Sequence, residues 1–132
     1  MTYYVGWDIG GAHVKVAIIF QNKIIKVQQE FCPLWQGLDK LELAVQKILH
    51  YLPTDKNQKH AVTMTGELVD LFVNRHDGVK QIMQTMKRLL SNFDVHIFCG
   101  KLDLLPVDKV GENHYETIAS ANWHVVPRNG SF

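Results

Sequence analysis

Three β-rich stretches separated by very short links open the chain and restrict how it can fold. The stretches are residues 3–9, 14–20 and 23–28, and the links are Gly10-Gly11-Ala12 and Gln21-Asn22. Links of two or three residues are too short for a parallel crossover, so consecutive strands must pair antiparallel. Asn22 tolerates the positive φ that tight hairpin turns require. The sequence therefore predicts an antiparallel three-stranded unit at the start of the fold.

The pattern changes after the loop that ends at Gly37. Apolar residues recur at spacings of three and four over residues 38–52, which predicts an amphipathic helix ending near Pro53. The helix must bury its apolar side, and the preceding sheet is the available surface. A short apolar stretch at residues 60–65 then predicts a fourth, buried strand.

Strand and helix patterns continue to alternate towards the end of the chain. A second helix is predicted from around Gly78, with Asp77 as its cap, followed by a fifth strand at 95–99 and a last helix at about 114–123. Strands separated by helices imply parallel crossovers. The predicted fold class is therefore α/β, with the order β-β-β-α-β-α-β in a mixed sheet with flanking helices.

Size, charge and cysteine content narrow the class of protein. A chain of 132 residues fits one domain, predicted over residues 1–124, with residues 125–132 as a disordered or truncated tail. The formal net charge of +1 gives no field that would attract nucleic acid or a membrane surface. No leader and no apolar run of ~18 residues is apparent, so we expect a cytoplasmic protein. Cys32 and Cys99 lack metal or disulfide spacing and are predicted to be buried thiols.

The Gly10-Gly11 turn is the best candidate for a chemical site. Glycines let an anion approach the backbone N–H groups, and the adjacent Asp8 can hold Mg²⁺ directly or through water. Lys15 on the next strand can add a positive charge, although the sequence does not determine which face of the strand it occupies. The spacing alone also fits an ordinary hairpin, and both interpretations remain open.

Four segments, in order along the chain, resemble one known family. They are Val5 to Lys15, Met64 to Phe72, Arg75-x-x-Gly78-Val79 and Ala119-Ser120-Ala121-Asn122-Trp123. These segments resemble the tetrahydromethanopterin-linked one-carbon transfer pathway protein family, which is similar to hydantoinase A and oxoprolinase proteins. The resemblance implies the N-terminal half of an actin-like ATPase fold of the sugar kinase and Hsp70 type.

The resemblance also implies a reaction. Characterised archaeal members of the family are methanofuran-precursor synthases, transferases that join an aminomethylfuran-methyl diphosphate to γ-glutamyltyramine and release diphosphate. Such a small phosphorylated substrate requires charge neutralisation, which Asp8, Gly10, Gly11 and Lys15 would provide together with Mg²⁺. The attacking phenol also needs a general base.

Two carboxylates follow the fourth strand at the sheet end where α/β folds place ligands. Glu67 and Asp70 are three residues apart, hence on one helix face, and either is a candidate base or second metal ligand. The alternative is that Glu67 is a helix-dipole acid and Asp70 a solvated side chain.

Three further side chains are candidates for contact with a ligand, and the sequence allows more than one role for two of them. Arg75 either clamps a phosphate or pairs with Asp77 on the surface. His13 follows the glycine turn and either contacts substrate or lies partly buried and neutral. Trp35 in its loop is a candidate for stacking on an aromatic ligand.

The chain departs from the family in length. Relatives are more than twice as long and carry a second, Asp-Ile-Gly-Ser-Thr-Thr type phosphate motif that is absent here. We therefore expect a truncation, a frameshift product or one half of a split protein that is inactive alone and pairs with itself or with a missing C-terminal half. Two alternatives to the transferase are an ATP-dependent enzyme of kinase or hydantoinase A type and a non-catalytic interaction module.

Overall fold

The computed structural model describes residues 2–65, 71–100 and 103–120. Its strands are β1 Tyr3–Ile9, β2 His13–Phe20, β3 Lys23–Phe31, β4 Gln58–Met64, β5 Asp94–Phe98 and β6 Leu104–Pro106. Its α-helices are α1 Leu38–Leu49, α2 Arg75–Leu89 and α3 Tyr115–Ser120. No helix in this part of the chain is long and apolar enough to cross a membrane.

The strands form one mixed sheet in the order β3-β2-β1-β4-β5-β6. Strand β1 pairs antiparallel with β2 and parallel with β4, and β4 pairs parallel with β5. The predicted antiparallel opening and the two parallel crossovers are therefore confirmed. The predicted α/β class, the order β-β-β-α-β-α-β as far as β5 and the mixed sheet with flanking helices are confirmed.

The link between β2 and β3 is a two-residue hairpin turn. Gln21 and Asn22 have φ values of 51° and 63°. Positive φ at both central residues is the type I′ geometry, whose twist matches that of the flanking strands. The predicted positive φ at Asn22 is confirmed, and the turn explains why β2 and β3 are close neighbours.

The two faces of the sheet have different surroundings. Val5, Trp7 and Ile9 on β1 are buried in one apolar cluster with side chains of α1, α2 and α3. The alternate residues of β1, including Asp8, lie on the opposite face, which we call the open face. Strand alternation thus separates the core from the residues available for chemistry.

Several element boundaries differ from the predictions. Helix α2 begins at Arg75 rather than near Gly78, and its cap is Asn74, whose side chain accepts a hydrogen bond from the Asp77 backbone N–H at 2.8 Å. The Asp77 carboxylate instead accepts from the backbone N–H of Val73 at 3.2 Å. The assignment of Asp77 as the cap was therefore wrong, because two capping residues three positions apart read alike in sequence.

Two more strand predictions were too short or missing. Strand β3 continues to Phe31, three residues beyond the predicted end, and β6 was not predicted. The predicted last helix is present as α3 up to Ser120, and its remaining predicted residues lie outside the described ranges, as do residues 125–132. Both cysteines are buried free thiols as predicted, and burial raises the pKa of each to about 11.

A buried polar network joins β1 to β4. The Trp7 Nε1–H donates to His60 Nδ1 at 2.8 Å, and His60 Nε2 lies 3.0 Å from Gln58 Oε1. Because Nδ1 accepts the indole hydrogen bond, the His60 proton must be on Nε2, which donates to Gln58. The His60 ring also stacks on Phe93, with ring centroids 4.5 Å apart. The network is satisfied only by a neutral imidazole.

Acid is therefore expected to destabilise the fold through His60. Burial lowers the pKa of His60 to about 4, below the ~6.5 of an unfolded chain. The unfolded state then binds more protons, so the free energy of unfolding decreases by up to about 3 kcal/mol as the pH falls from ~6.5 to ~4. Urea unfolding at several pH values measures this slope, and His60→Gln should flatten it.

The control is His50→Gln, an exposed position just after α1, which should keep the slope of the unaltered chain. An NMR titration covers the case in which His60→Gln does not fold. A His60 ring signal that titrates near pH 6.5 in the folded chain would contradict the assignment.

Candidate phosphate-binding turn

The glycine turn lies at the carboxyl ends of the central strands β1 and β4. The Gly10 N–H donates to the His13 carbonyl at 2.9 Å and closes the turn between β1 and β2. The Thr65 N–H donates to the Ile9 carbonyl at 2.9 Å and holds the end of β4 beside it. The carboxyl ends of parallel strands are where α/β sheets place ligands, so this position suits a binding turn.

The segment that follows β3 is hydrogen-bonded to the same turn. The Cys32 N–H donates to the Ala12 carbonyl at 2.8 Å, and the Leu34 N–H donates to the Gly11 carbonyl at 3.3 Å. Within residues 2–65, 71–100 and 103–120, no acceptor bonds the N–H groups of Gly11 and Ala12. Successive backbone N–H groups of this kind bind anions. The carbonyls of the turn are thus used for support while two donors remain available.

The space around Gly10 leaves little room for a side chain. A Cβ atom at this position would lie 3.0 Å from the His13 carbonyl oxygen and 3.9 Å from Thr65 Oγ1. The nearer neighbour is backbone and belongs to the hydrogen bond that closes the turn. A side chain at position 10 would therefore push directly against the geometry that forms the site.

Asp8 and Lys15 lie on the same face and face each other across the β1–β2 pair. This settles the orientation of Lys15, which is exposed on the open face. Burial raises the pKa of the half-buried Asp8 carboxyl above its usual range, and the positive charge of Lys15 partly offsets this rise. A second cation beside Asp8 would stabilise its ionised form further.

The donor set fits a phosphate-bound Mg²⁺ ion better than a metal held by protein alone. In the part of the chain that the structure describes, no three His, Cys, Asp or Glu side chains converge. Mg²⁺ is commonly held by one or two carboxylates together with waters and substrate phosphates. Asp8, on the strand that leads into the turn, provides one such carboxylate, and it suits the phosphates of ATP as well as a diphosphate.

Of the other three predicted site residues, the structure describes only Arg75. Glu67 and Asp70 fall outside the described residues, so their predicted roles stay predictions. Arg75 is exposed at the first residue of α2. The predicted surface partner of Arg75 is the Asp77 carboxylate. This carboxylate accepts hydrogen bonds from the Val73 backbone N–H at 3.2 Å and from the Gln81 side-chain amide at 2.9 Å.

The structure brings together a group of exposed aromatic side chains that was not predicted from the sequence. His13 and Phe31 pair edge to face with ring centroids 5.8 Å apart, and Phe31 and Trp35 do so at 6.2 Å. We call these three side chains the aromatic ledge. Phe31 was missed because the predicted strand stopped at Gln28; the signal that could have found it is the alternation Val27, Gln29, Phe31, which places all three on one face.

The chain is similar in sequence to a curated enzyme. No family model matches the chain. The chain is 27% identical over 123 residues to the (4-{4-[2-(γ-L-glutamylamino)ethyl]phenoxymethyl}furan-2-yl)methanamine synthase of Methanocaldococcus jannaschii. The match covers 93% of this chain and 35% of that enzyme, so the chain spans about a third of the length of its curated relative. This similarity confirms the resemblance that the four segments indicate.

Two solved structures are also similar in outline. They are a Ppx/GppA family member and a type II variant of the Ppx/GppA phosphatase, both from Aquifex aeolicus, with TM-scores of 0.44 and 0.42. Each is 18% identical and covers 74% of this chain, which corresponds to 35% and 36% of those chains.

Replacement of Gly10 should damage the turn in a measurable way. In Gly10→Ala the new methyl group would meet the His13 carbonyl, which cannot move without breaking the turn, so the free energy of unfolding should decrease by about 1–3 kcal/mol. Gly111→Ala is a matched control, because its Cβ would also lie 3.0 Å from an oxygen, but that oxygen is on the rotatable Asn113 side chain. The free energy of unfolding of the control should change by no more than about 0.5 kcal/mol. Equal losses in urea unfolding would show that the backbone contact at Gly10 is not special.

Proposed function

We propose that this chain forms the phosphate-binding part of a transferase that joins an aminomethylfuran-methyl diphosphate to γ-glutamyltyramine and releases diphosphate. The observation that carries the proposal is the turn with two successive N–H donors at Gly11 and Ala12 beside the Asp8 carboxylate. The relative's printed name supports it, because its product contains a phenoxymethylfuran ether of the kind this reaction would form.

The proposed reaction replaces one C–O bond by another. The bond between the furan-bound methylene carbon and the diphosphate oxygen breaks, and its electron pair leaves with the diphosphate. The phenol oxygen of the acceptor forms the new bond to that carbon, and the phenol proton passes to a base. Most of the required catalysis is stabilisation of the charge that collects on the leaving group.

The chain's own groups fit that task. The Gly11 and Ala12 N–H groups would donate to phosphate oxygens, and Lys15 on the same face would add a positive charge. Asp8 would hold the cation, and Mg²⁺, when bound, would neutralise the diphosphate as it leaves. Glu67 and Asp70, just after β4, remain the proposed candidates for the base, and Arg75 a proposed phosphate ligand.

The rest of the active site is proposed to come from outside this chain. Because the chain spans about a third of its relative, it would bind the diphosphate without turning it over efficiently. The proposed partner is a segment equivalent to the remaining part of that enzyme, or a second copy of the chain. The same turn would also serve ATP, so nucleotide is included as a competing ligand in the test.

The test measures diphosphate binding by calorimetry with and without Mg²⁺. Asp8→Asn should weaken Mg²⁺-dependent binding by about tenfold, the loss of one charge-assisted contact. Its unfolding midpoint in urea should not decrease, because the raised pKa of Asp8 means that the folded state carries its ionised carboxylate at a cost at neutral pH. Loss of binding with unchanged or higher stability is the signature of a functional carboxylate.

The control is Asp94→Asn, an exposed carboxylate at the start of β5, which should leave Mg²⁺-dependent binding unchanged. Binding of ATP with Mg²⁺, without binding of inorganic diphosphate, would favour an ATP-dependent enzyme instead. No binding of either ligand to the unaltered chain would reject the phosphate-binding role.

A further inference from the structure

The aromatic ledge is unusual because its rings are exposed and yet held in place. Phe31 is 64% and Trp35 49% exposed, and His13 is exposed beside them. Large aromatic side chains usually bury most of their surface, and an exposed group of them points to a binding site. The two edge-to-face contacts orient the rings against one another at 67° and 71°.

The ledge is fixed relative to the glycine turn by the backbone. His13 directly follows Ala12, and Phe31 is its register partner on β3. The segment leading to Trp35 is tied to the turn by the hydrogen bonds from Cys32 to Ala12 and from Leu34 to Gly11. Leu34, the neighbour of Trp35, is fully buried and anchors the short 3₁₀ turn that carries the indole. The backbone thus fixes the position of the rings relative to the Gly11 and Ala12 N–H groups.

We propose that the aromatic ledge binds the aromatic ring of the diphosphate-bearing substrate while the turn binds its diphosphate. The inference rests on the proposed function and names the part of the site that recognises the ring. A ring joined to a diphosphate through one methylene group extends only a few bonds from the phosphate. His13 directly follows the turn and Phe31 is its register partner, so these are the rings of the ledge that the substrate ring would meet.

The chemistry of the ledge matches a flat, electron-rich ring. Aromatic rings pair in offset-stacked or edge-to-face arrangements, and a ledge built from two edge-to-face pairs leaves ring faces available to a ligand. Such stacking depends little on ring substituents, so it selects for an aromatic group rather than for one compound. The ledge would add affinity that inorganic diphosphate cannot use.

The test compares benzyl diphosphate with inorganic diphosphate, both with Mg²⁺, by calorimetry and ligand-observed NMR. The unaltered chain should bind benzyl diphosphate about tenfold more tightly than inorganic diphosphate. Trp35→Leu and Phe31→Leu should each remove most of this preference and leave the affinity for inorganic diphosphate unchanged. Thermal unfolding of each variant checks that the exposed position was changed without loss of the fold.

Tyr51→Leu is the matched control. Tyr51 is 52% exposed, close to the value for Trp35, but it follows the end of α1 whereas Trp35 precedes its start. Its replacement should leave both affinities unchanged. A fall in the preference for benzyl diphosphate in Tyr51→Leu as large as in Trp35→Leu would overturn the assignment to the ledge.

The outcomes separate this inference from the function on which it rests. Binding of inorganic diphosphate with no preference for the benzyl compound would overturn the ledge alone, and would leave the exposed rings as a contact surface for protein. Binding of neither compound would overturn the proposed function as well. Tyramine that binds without diphosphate and loses affinity in Trp35→Leu would assign the ledge to the acceptor phenol, which contradicts the proposal.

Discussion

The position of β1 in the centre of the sheet is the constraint on which the rest of the structure depends. It pairs antiparallel with β2 and parallel with β4. This one strand therefore joins the antiparallel unit β1–β3 to the parallel strands that follow α1. This pairing places the Gly10-Gly11 turn beside the end of β4, where Thr65 bonds to Ile9. That register therefore puts the glycine turn at the carboxyl ends of the parallel strands, where α/β sheets place ligands.

The buried contact between Trp7 and His60 holds this register. A one-residue slip would move every side chain of β1 to the other face and would leave the indole N–H and the imidazole unpaired in the core. It would also turn Asp8 into the apolar layer. The polar network thus connects the stability of the core to the orientation of a carboxylate that lies only one residue from Trp7.

Much of the fold and part of the site were accessible from the sequence because their signals are local. Short links predicted the antiparallel pairs, and periodic apolar residues predicted α1 and the crossovers. The start of α2 was missed because Asn74 and Asp77 are both capping residues, and only the hydrogen bond from the Asp77 N–H to the Asn74 side chain identifies Asn74 as the cap. The ledge was missed because the predicted third strand stopped at Gln28, and because the contact between Phe31 and Trp35 exists only in the folded chain.

The sequence by itself determined the order of the elements from β1 to β5, the position of the glycine turn at Gly10-Gly11 and the resemblance to a known enzyme family. These properties depend on neighbouring residues, so they can be read from local pattern. Only the tertiary structure decided that Lys15 faces Asp8 and that the rings of the ledge lie next to the turn. Both facts depend on strand register, which the burial of β1 against the helices sets over separations of many residues.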